Sequence, residues 1–160
     1  MRKIVTPLLG VLLAMSVLAA SAGGAWALDT PPRLDYRDLL KTISKHKGTV
    51  VVVSFFASWC MPCLKEIPEL RILREKYSDD ELVLLGVSVD DDGYKLAQLM
   101  SKMHFNYPIY WAEPDVSSVF QISAIPKVMV YNQRGALVLN HVGYMPTSNL
   151  RDAIDSMNRK

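Results

Sequence analysis

Cysteine is nearly absent from this 160-residue chain, which contains only Cys60 and Cys63. A fold held together by structural disulfides needs an even set of cysteines spread along the sequence, so that class of small secreted protein is excluded. A zinc site needs four ligands, and the three histidines are scattered along the chain rather than grouped with the cysteines. The function of the two thiols must therefore come from their being a close pair.

An excess of charge of one sign is also lacking. The chain has 18 basic and 16 acidic residues, and the basic residues form no patch along the sequence. Binding to nucleic acid or to an anionic membrane surface is therefore not expected. The one acidic run, Asp90–Asp92, lacks the spaced ligands and the glycine of a calcium loop. We interpret it as a solvated turn between a strand and a helix.

Only one apolar run is long, and it lies at the N-terminus. A short basic start precedes a nearly unbroken apolar segment at Leu8–Ala20, and Ala25–Ala27 supplies the small residues that signal peptidase requires. This pattern is typical of a secretory signal peptide. We predict that residues 1–27 are the signal peptide, that residues 28–160 form one domain, and that the protein works in the periplasm or otherwise outside the cytoplasm. A retained membrane anchor is the alternative.

The remaining sequence alternates between helical and extended patterns. Continuous β-branched and apolar runs predict buried strands, and apolar residues at helical spacing predict helices. The predicted elements, in chain order, are a helix over Tyr36–Lys47, a strand over Thr49–Phe56, a helix over Cys63–Tyr77 kinked at Pro68, a strand over Leu82–Val89, a helix over Gly93–Met103, a strand over Tyr107–Trp111, a helix over Asp115–Phe120, a hairpin of strands over Lys127–Tyr131 and Ala136–Val142, and a last helix capped by Thr147. This order implies an α/β fold with a mixed central sheet and helices on both faces.

The cysteine pair lies where the strand ending at Phe56 gives way to a helix that begins at about Cys60. Unpaired N–H groups and the helix dipole at such an N-terminus favour negative charge. This setting lowers the pKa of a thiol and produces the nucleophilic thiolate. Cys63 lies one turn further on the same face, within reach of Cys60, and we expect it to be more buried and less acidic. Pro62 fits the first turn, where its missing N–H costs little.

Two thiols one helical turn apart can act as a redox switch. The Cys60 thiolate attacks a disulfide of a partner, and Cys63 then attacks Cys60 and releases the reduced partner. The reverse sequence oxidises the thiols of a partner. A purely structural disulfide that closes so short a loop would add little stability, and a c-type haem would need a histidine where Leu64 follows Cys63. Copper(I) handling by the soft thiolate pair remains open.

Three stretches of the sequence resemble the thioredoxin superfamily. The segment Trp59–Leu70, WCMPCLKEIPEL, is similar to the W-C-x-P-C-x-x-E-x-P motif of its TlpA/ResA-like branch of thiol–disulfide oxidoreductases. The segment GVSVDDD, with the following helix and YPIY, resembles the inserted βα unit of that branch, and ISAIPKVMVYNQRG resembles the Ile-Pro turn before a hairpin. The resemblance covers residues 49–154 and implies a thioredoxin-like fold with one inserted βα unit.

The resemblance also implies roles for individual residues. Ile125–Pro126 would be a cis peptide bond beside the disulfide, and the backbone at Ile125 would pair with an extended substrate strand. An ordinary turn with a trans bond is the alternative. Glu66 matches the glutamate of the motif and would assist proton transfer at Cys63, unless it is an exposed residue that merely suits the first turns of a helix.

Trp59 would cover the disulfide, with core packing as the alternative, and we assign it with Met61 and Pro62 to the substrate-binding surface. Two positions depart from the superfamily pattern. Ser54 stands where a buried aspartate is usual, six residues before the first cysteine, so proton relay through that aspartate is not possible. Lys127 replaces a small polar residue after the proline, and it would either add positive charge near the thiolate or point to solvent.

The predicted function is thiol–disulfide exchange with protein substrates, in the reductive direction that is usual for TlpA-like proteins. The resemblance implies an upstream membrane electron donor, and we expect a monomer that uses no cofactor or metal. An oxidase that forms disulfides in its partners is the enzymatic alternative. A copper-binding metallochaperone is the alternative of a different class, and it would bind Cu(I) tightly with negligible disulfide reductase activity.

Overall fold

The computed structural model describes residues 30–159, so the predicted signal peptide lies outside the described residues. The described chain forms six strands and five helices. In chain order these are β1 (Arg33–Leu34), α1 (Tyr36–Lys45), β2 (Val50–Phe56), α2 (Met61–Lys76), β3 (Leu82–Ser88), α3 (Gly93–Met103), β4 (Ile109–Ala112), α4 (Pro114–Val119), β5 (Lys127–Tyr131), β6 (Leu137–Val142) and α5 (Thr147–Asn158). None of the helices in this part of the chain is long and apolar enough to cross a membrane.

The strands form one mixed sheet in the order β1-β4-β3-β2-β5-β6. The strands β1, β4, β3 and β2 pair in parallel, whereas β5 is antiparallel to both β2 and β6. Parallel neighbours need crossover connections, and α2 and α3 supply them between β2, β3 and β4. The antiparallel pair β5–β6 is the predicted hairpin. The expected mixed α/β architecture is therefore confirmed.

The central strand β2 is buried along its whole length and contributes to two cores. Side chains alternate between the faces of a strand, so Val50 and Val52 lie in one core while Val51 and Val53 lie in the other. The first core is closed by α2, α3 and α5, and the second by α1 and α4. The buried apolar residues of these helices are Ile67, Leu70, Leu73, Leu96, Leu99, Leu150 and Ile154 in the first core, and Leu39, Ile43 and Val116 in the second.

Ile67 and Ile72 offer a matched test of this packing, because both lie on α2 and they differ in exposure. Ile67 is 2% exposed in the first core, and Ile72 is 68% exposed. We expect Ile67→Ala to lower the free energy of unfolding by about 2–5 kcal/mol, since it removes buried methylenes and leaves a cavity. Ile72→Ala should change it by less than about 0.5 kcal/mol. Urea-induced unfolding measures both values, and equal effects would contradict the packing described.

The strand β1 has no counterpart among the predicted elements, because two residues carry no periodic pattern. Its pairing with β4 is extended on both sides: the Trp111 N–H donates to the Pro32 carbonyl at 2.9 Å, and the Glu113 N–H donates to the Leu34 carbonyl at 2.8 Å. The Arg33 guanidinium pairs with the Glu113 carboxylate and lies 3.9 Å from the centre of the Trp111 ring. These contacts add a sixth strand to the edge of the sheet.

The ends of several elements differ from the predicted ends. The helix α1 ends at Lys45, and β4 is displaced to Ile109–Ala112. The helix α2 begins at Met61, ends at Lys76 and contains Pro68. Thr147 is the first residue of α5 rather than its capping residue. The predicted bounds of α3 and β5 are confirmed to the residue.

Three chain segments meet at one end of the central strands. Because β2 is parallel to β3 and antiparallel to β5, the carboxyl ends of β2 and β3 lie at the same end of the sheet as the amino end of β5. In this register, Phe55 lies opposite Val87 on one side and Lys127 on the other. The loop after Phe56, the loop after Ser88 and the residues before Lys127 therefore come together.

Candidate active site

The two cysteines form a disulfide at the N-terminus of α2, with their Cα atoms 5.2 Å apart. Cys60 caps the helix, because its sulfur accepts a hydrogen bond from the backbone N–H of Cys63 at 3.3 Å. Both side chains are buried, and Cys63 is the more deeply buried of the two, as predicted. After reduction, a thiolate on Cys60 would be stabilised by the N–H groups of the first turn and by the helix dipole.

Exposed apolar residues flank the buried disulfide. The Trp59 side chain is 63% exposed, so core packing of this residue is wrong, and Met61 is exposed to a similar extent. Pro62 lies in the first turn of α2, as predicted, and lines a surface cleft of about 480 Å³ with Lys65 and Tyr144. Exposed apolar patches of this kind are typical of surfaces that bind another protein.

The peptide bond between Ile125 and Pro126 is cis, so the alternative of a trans turn is wrong. Pro126 directly precedes β5, whose first residue, Lys127, lies opposite Phe55 in β2. Because β2 leads into the loop that carries Cys60, the cis bond and the disulfide lie at the same end of these strands. Residues that are far apart in sequence are thereby brought to one site.

Glu66 lies one turn beyond Cys63 on α2 and is 3% exposed, so its interpretation as an exposed residue is wrong. Its Oε1 accepts a hydrogen bond from the Met145 N–H at 2.9 Å, and its Oε2 has no partner among the described residues. Burial raises the pKa of Glu66 to about 7; the Met145 N–H opposes this effect, and the charge of Glu69 adds to it. A carboxyl group with a pKa near 7 can take up or release a proton at neutral pH.

The loop between β6 and α5 is attached to α2 by a second carboxylate, that of Glu69. The Tyr144 hydroxyl donates to Glu69 Oε1 at 2.7 Å, and the Thr147 hydroxyl donates to Oε2 at 3.1 Å. The same loop is bonded to the cis-proline segment, since the Gly143 N–H donates to the Pro126 carbonyl at 2.7 Å. This loop therefore joins the cysteine-bearing helix to the segment that holds the cis bond.

Lys127 is buried, so the alternative in which its side chain points to solvent is wrong. Its ammonium group donates to the carbonyl oxygens of Phe120 at 2.7 Å and Gln121 at 2.9 Å, at the C-terminal end of α4. Carbonyls at a helix C-terminus carry partial negative charge and attract a cation, although burial lowers the pKa of Lys127. The contact spans residues 122–126, and it therefore fixes the two ends of the segment that contains the cis bond.

Asp90 is not part of a solvated turn as predicted, because its side chain is 5% exposed. Its carboxylate accepts hydrogen bonds from the Ser58 N–H at 2.9 and 3.1 Å, from the Ser58 hydroxyl at 2.6 Å and from the Ser88 hydroxyl at 2.7 Å. Of its two acidic neighbours, Asp91 is exposed and Asp92 caps α3. The sequence shows that Asp90 follows a strand. Its contact with Ser58 can be predicted only when β3 is known to lie beside β2.

The sequence of this chain matches a known family and is similar to proteins named as thiol–disulfide oxidoreductases. The family model described as AhpC/TSA family matches residues 35–140. Sporulation thiol-disulfide oxidoreductase A of Bacillus subtilis (strain 168) is 22% identical over 151 residues, which cover 88% of this chain and 92% of the relative. Thiol-disulfide oxidoreductase ResA of the same organism is 24% identical over 111 residues, which cover 69% of this chain and 62% of the relative.

The fold also matches a solved structure. That structure is of a thiol:disulfide interchange protein, a thioredoxin family protein, from Chlorobium tepidum TLS. It superposes with a TM-score of 0.65 at 23% sequence identity, over 71% of this chain and 83% of that chain. The predicted thioredoxin-like fold is confirmed.

Proposed function

Because this chain belongs to the AhpC/TSA family and is a thioredoxin-like thiol–disulfide oxidoreductase, we propose that it acts outside the cytoplasm and reduces disulfide bonds of partner proteins. The observation that carries the proposal is the disulfide between Cys60 and Cys63 at the N-terminus of α2, flanked by exposed apolar side chains. The proposed location rests on the signal-peptide pattern of residues 1–27.

The reaction begins with the reduced protein. The Cys60 thiolate attacks one sulfur of a partner disulfide, a mixed disulfide forms at Cys60, and the other partner sulfur leaves as a thiolate that takes up a proton. The Cys63 thiolate then attacks the Cys60 sulfur, so the mixed disulfide breaks and the second partner sulfur leaves. The partner gains two electrons and the Cys60–Cys63 disulfide remains. An upstream thiol donor must reduce that disulfide before the next turnover.

We assign to Glu66 the proton transfer at Cys63. The carboxyl group is buried one turn from Cys63 on the same helix, and burial raises its pKa to about 7. It can therefore accept the proton of the Cys63 thiol as that thiol becomes the second nucleophile. The position of the usual aspartate is occupied by Ser54, which is buried in β2 and cannot serve as a base.

The substrate-binding surface is proposed to lie between the cis-proline segment and the start of α2. An extended partner strand would pair with the backbone at Ile125, before Pro126. The exposed side chains of Trp59 and Met61, with Pro62, would pack against the side chains of that strand. Main-chain pairing provides affinity for many sequences, which suits a reductase that acts on more than one protein.

Trp59→Ala is expected to weaken substrate binding without loosening the fold, because the side chain is mostly exposed. The KM for a disulfide-bonded protein substrate should rise by about tenfold, as is common when an interface tryptophan is removed. The kcat and the midpoint of urea unfolding should stay close to those of the unmodified protein. Ile72→Ala removes an exposed side chain of α2 that is not assigned to the substrate-binding surface, and it serves as the control. A wild-type KM for Trp59→Ala would remove this residue from the substrate surface.

The equilibrium reduction potential tests the proposed direction. The chain from Leu28 onward is equilibrated in glutathione or dithiothreitol buffers, and the reduced fraction is measured by thiol alkylation and mass spectrometry. A value of about −270 mV would support a reductase, and a value of about −120 mV would identify an oxidase. If Cys60 and Cys63 form no reversible disulfide, the redox proposal fails and Cu(I) binding is tested next.

A further inference from the structure

The loop between β2 and α2 is held in place by one side chain, which comes from the residues just after the neighbouring strand β3. The Ser58 N–H and the Ser58 hydroxyl both donate to the carboxylate of Asp90, which follows β3. Two residues further along, the Cys60 N–H donates to the Ala57 carbonyl at 3.1 Å and closes the turn that leads into α2. The backbone that delivers Cys60 to the helix is therefore fixed at its midpoint by Asp90.

Asp90 is itself fixed on several sides. The Ser88 hydroxyl donates to its carboxylate, and its own N–H donates to the Ser88 oxygen at 3.1 Å. The Trp111 ring N–H donates to its carbonyl at 2.6 Å. Each carboxylate oxygen accepts two hydrogen bonds, one of them from the Ser58 N–H. A buried carboxylate with this many donors is retained at low cost, and its charge strengthens the bonds to the loop.

We propose that Asp90 is the positioning residue for Cys60: its carboxylate holds Ser58 so that the nucleophile starts α2 as the capping residue. Cys60 has extended backbone angles, φ −88° and ψ 98°, and in this conformation its sulfur accepts a hydrogen bond from the Cys63 N–H. A loosened loop would move the sulfur away from Cys63 and away from the path of an incoming disulfide. This inference rests on the proposed function only in taking Cys60 as the attacking thiol.

The rate of reaction with oxidised glutathione isolates this role. The Cys60 thiolate attacks one glutathione sulfur and releases one glutathione thiolate; Cys63 then attacks Cys60 and releases the second, leaving the protein disulfide. We expect Asp90→Ala to lower the second-order rate constant by about tenfold or more, because displacing a reacting group by about 1 Å can cost a hundredfold. Asp91→Ala, an exposed neighbour, should react at the wild-type rate.

A conservative variant and a double variant separate positioning from stability. Asp90→Asn keeps a carbonyl acceptor for the Ser58 N–H, so its rate should return to within about threefold of wild type. Ser58→Ala removes the hydroxyl bond to Asp90 and keeps the N–H bond, so it should slow the reaction less than Asp90→Ala does. It should add little in the Asp90→Ala background, where the partner carboxylate is already missing. All rates are measured at a temperature where each variant is folded, as judged by circular dichroism.

Three results would overturn the proposal. They are a wild-type rate for Asp90→Ala despite a lowered unfolding midpoint, an equal loss in Asp91→Ala, and full additivity of the Asp90 and Ser58 changes. If Asp90→Ala does not fold, Asp90→Glu replaces it, because it keeps the charge but displaces the carboxylate by one methylene from the Ser58 N–H; a wild-type rate for Asp90→Glu would then reject the role. Glutathione needs no particular client or direction of electron flow, so this test stands even if the reductive function proves wrong.

Discussion

Cys60→Ser is expected to reduce disulfide exchange to the background rate. The chain contains no cysteine besides Cys60 and Cys63, so no other thiol can replace the nucleophile. Serine keeps the shape of the side chain and can still cap α2, but its hydroxyl is not ionised near neutral pH and does not attack a disulfide. The measurement is the rate at which the pre-reduced protein reduces a disulfide-bonded protein substrate.

Cys63→Ser should give a different outcome, because it leaves the attacking thiol in place. Cys60 still forms the mixed disulfide, but no second thiol resolves it, so the partner remains covalently bound. Non-reducing electrophoresis should show an adduct that dithiothreitol releases. In extracts of the cell envelope, the same variant would capture natural partners for identification by mass spectrometry.

The double variant with serine at both positions is the control for this pair, and it should form no adduct. Adducts formed equally by Cys60→Ser and Cys63→Ser would contradict the assignment of Cys60 as the attacking thiol. Both cysteines are buried in the oxidised protein, so the assignment depends on the position of Cys60 at the helix N-terminus rather than on exposure.

Glu66→Gln is expected to change how stability depends on pH. The ordinary pKa of a glutamate is 4.5, and in the folded protein burial raises the pKa of Glu66 to about 7. Between these two values the folded state retains a proton that the unfolded state has lost, so the free energy of unfolding falls as the pH rises. At about 1.4 kcal/mol per pKa unit, the ionised carboxyl costs the folded protein about 3 kcal/mol above pH 7.

Glutamine at this position does not ionise, and its carbonyl can still accept the Met145 N–H bond. Relative to the wild type, Glu66→Gln should therefore gain about 3 kcal/mol of stability between pH 4.5 and pH 7.5. Any cost of burying the amide group lowers the free energy of unfolding equally at every pH, so the slope of this free energy against pH is unchanged. Urea unfolding of the oxidised proteins at a series of pH values measures the difference.

Glu75→Gln is the matched control, because it removes an exposed carboxylate of the same helix that does not act on Glu66. Stability curves of the wild type and Glu66→Gln that run parallel across this pH range would mean that Glu66 titrates as an ordinary exposed glutamate. In the reduced protein, Glu66→Gln should also alter the pH dependence of the Cys63 thiol. Unchanged thiol pKa values would reject the proton-transfer role.

The sequence predicts the larger elements of the fold because their patterns are long and regular. The strand that ends at Phe56 is a continuous β-branched and aromatic run, and α3 has apolar residues at regular helical spacing. The two-residue strand β1 has no such pattern, and it exists because β4 offers it a parallel partner. Its formation depends on tertiary pairing, which a local pattern does not describe.

The disulfide is predicted for a similar reason, since both cysteines lie on one turn of one helix. The environments of Glu66, Asp90 and Lys127 are not predicted, because each is set by partners that come from other elements. Glu66 receives its hydrogen bond from Met145, 79 positions away, and Asp90 receives its bonds mainly from Ser58, 32 positions away. Such pairings require the order and register of the strands, which local periodicity does not supply.

The three charged side chains that are buried in residues 30–159 have a consequence for redesigning the site. Glu66 holds the loop after β6, Asp90 holds the loop before α2, and Lys127 holds the end of α4, and no hydrogen-bond partner is shared among them. Separate contacts of this kind contribute nearly additively to stability. A redesign can therefore change one of these three anchors at a time, provided that it keeps the bond from the Gly143 N–H to the Pro126 carbonyl, which joins the loop after β6 to the cis-proline segment.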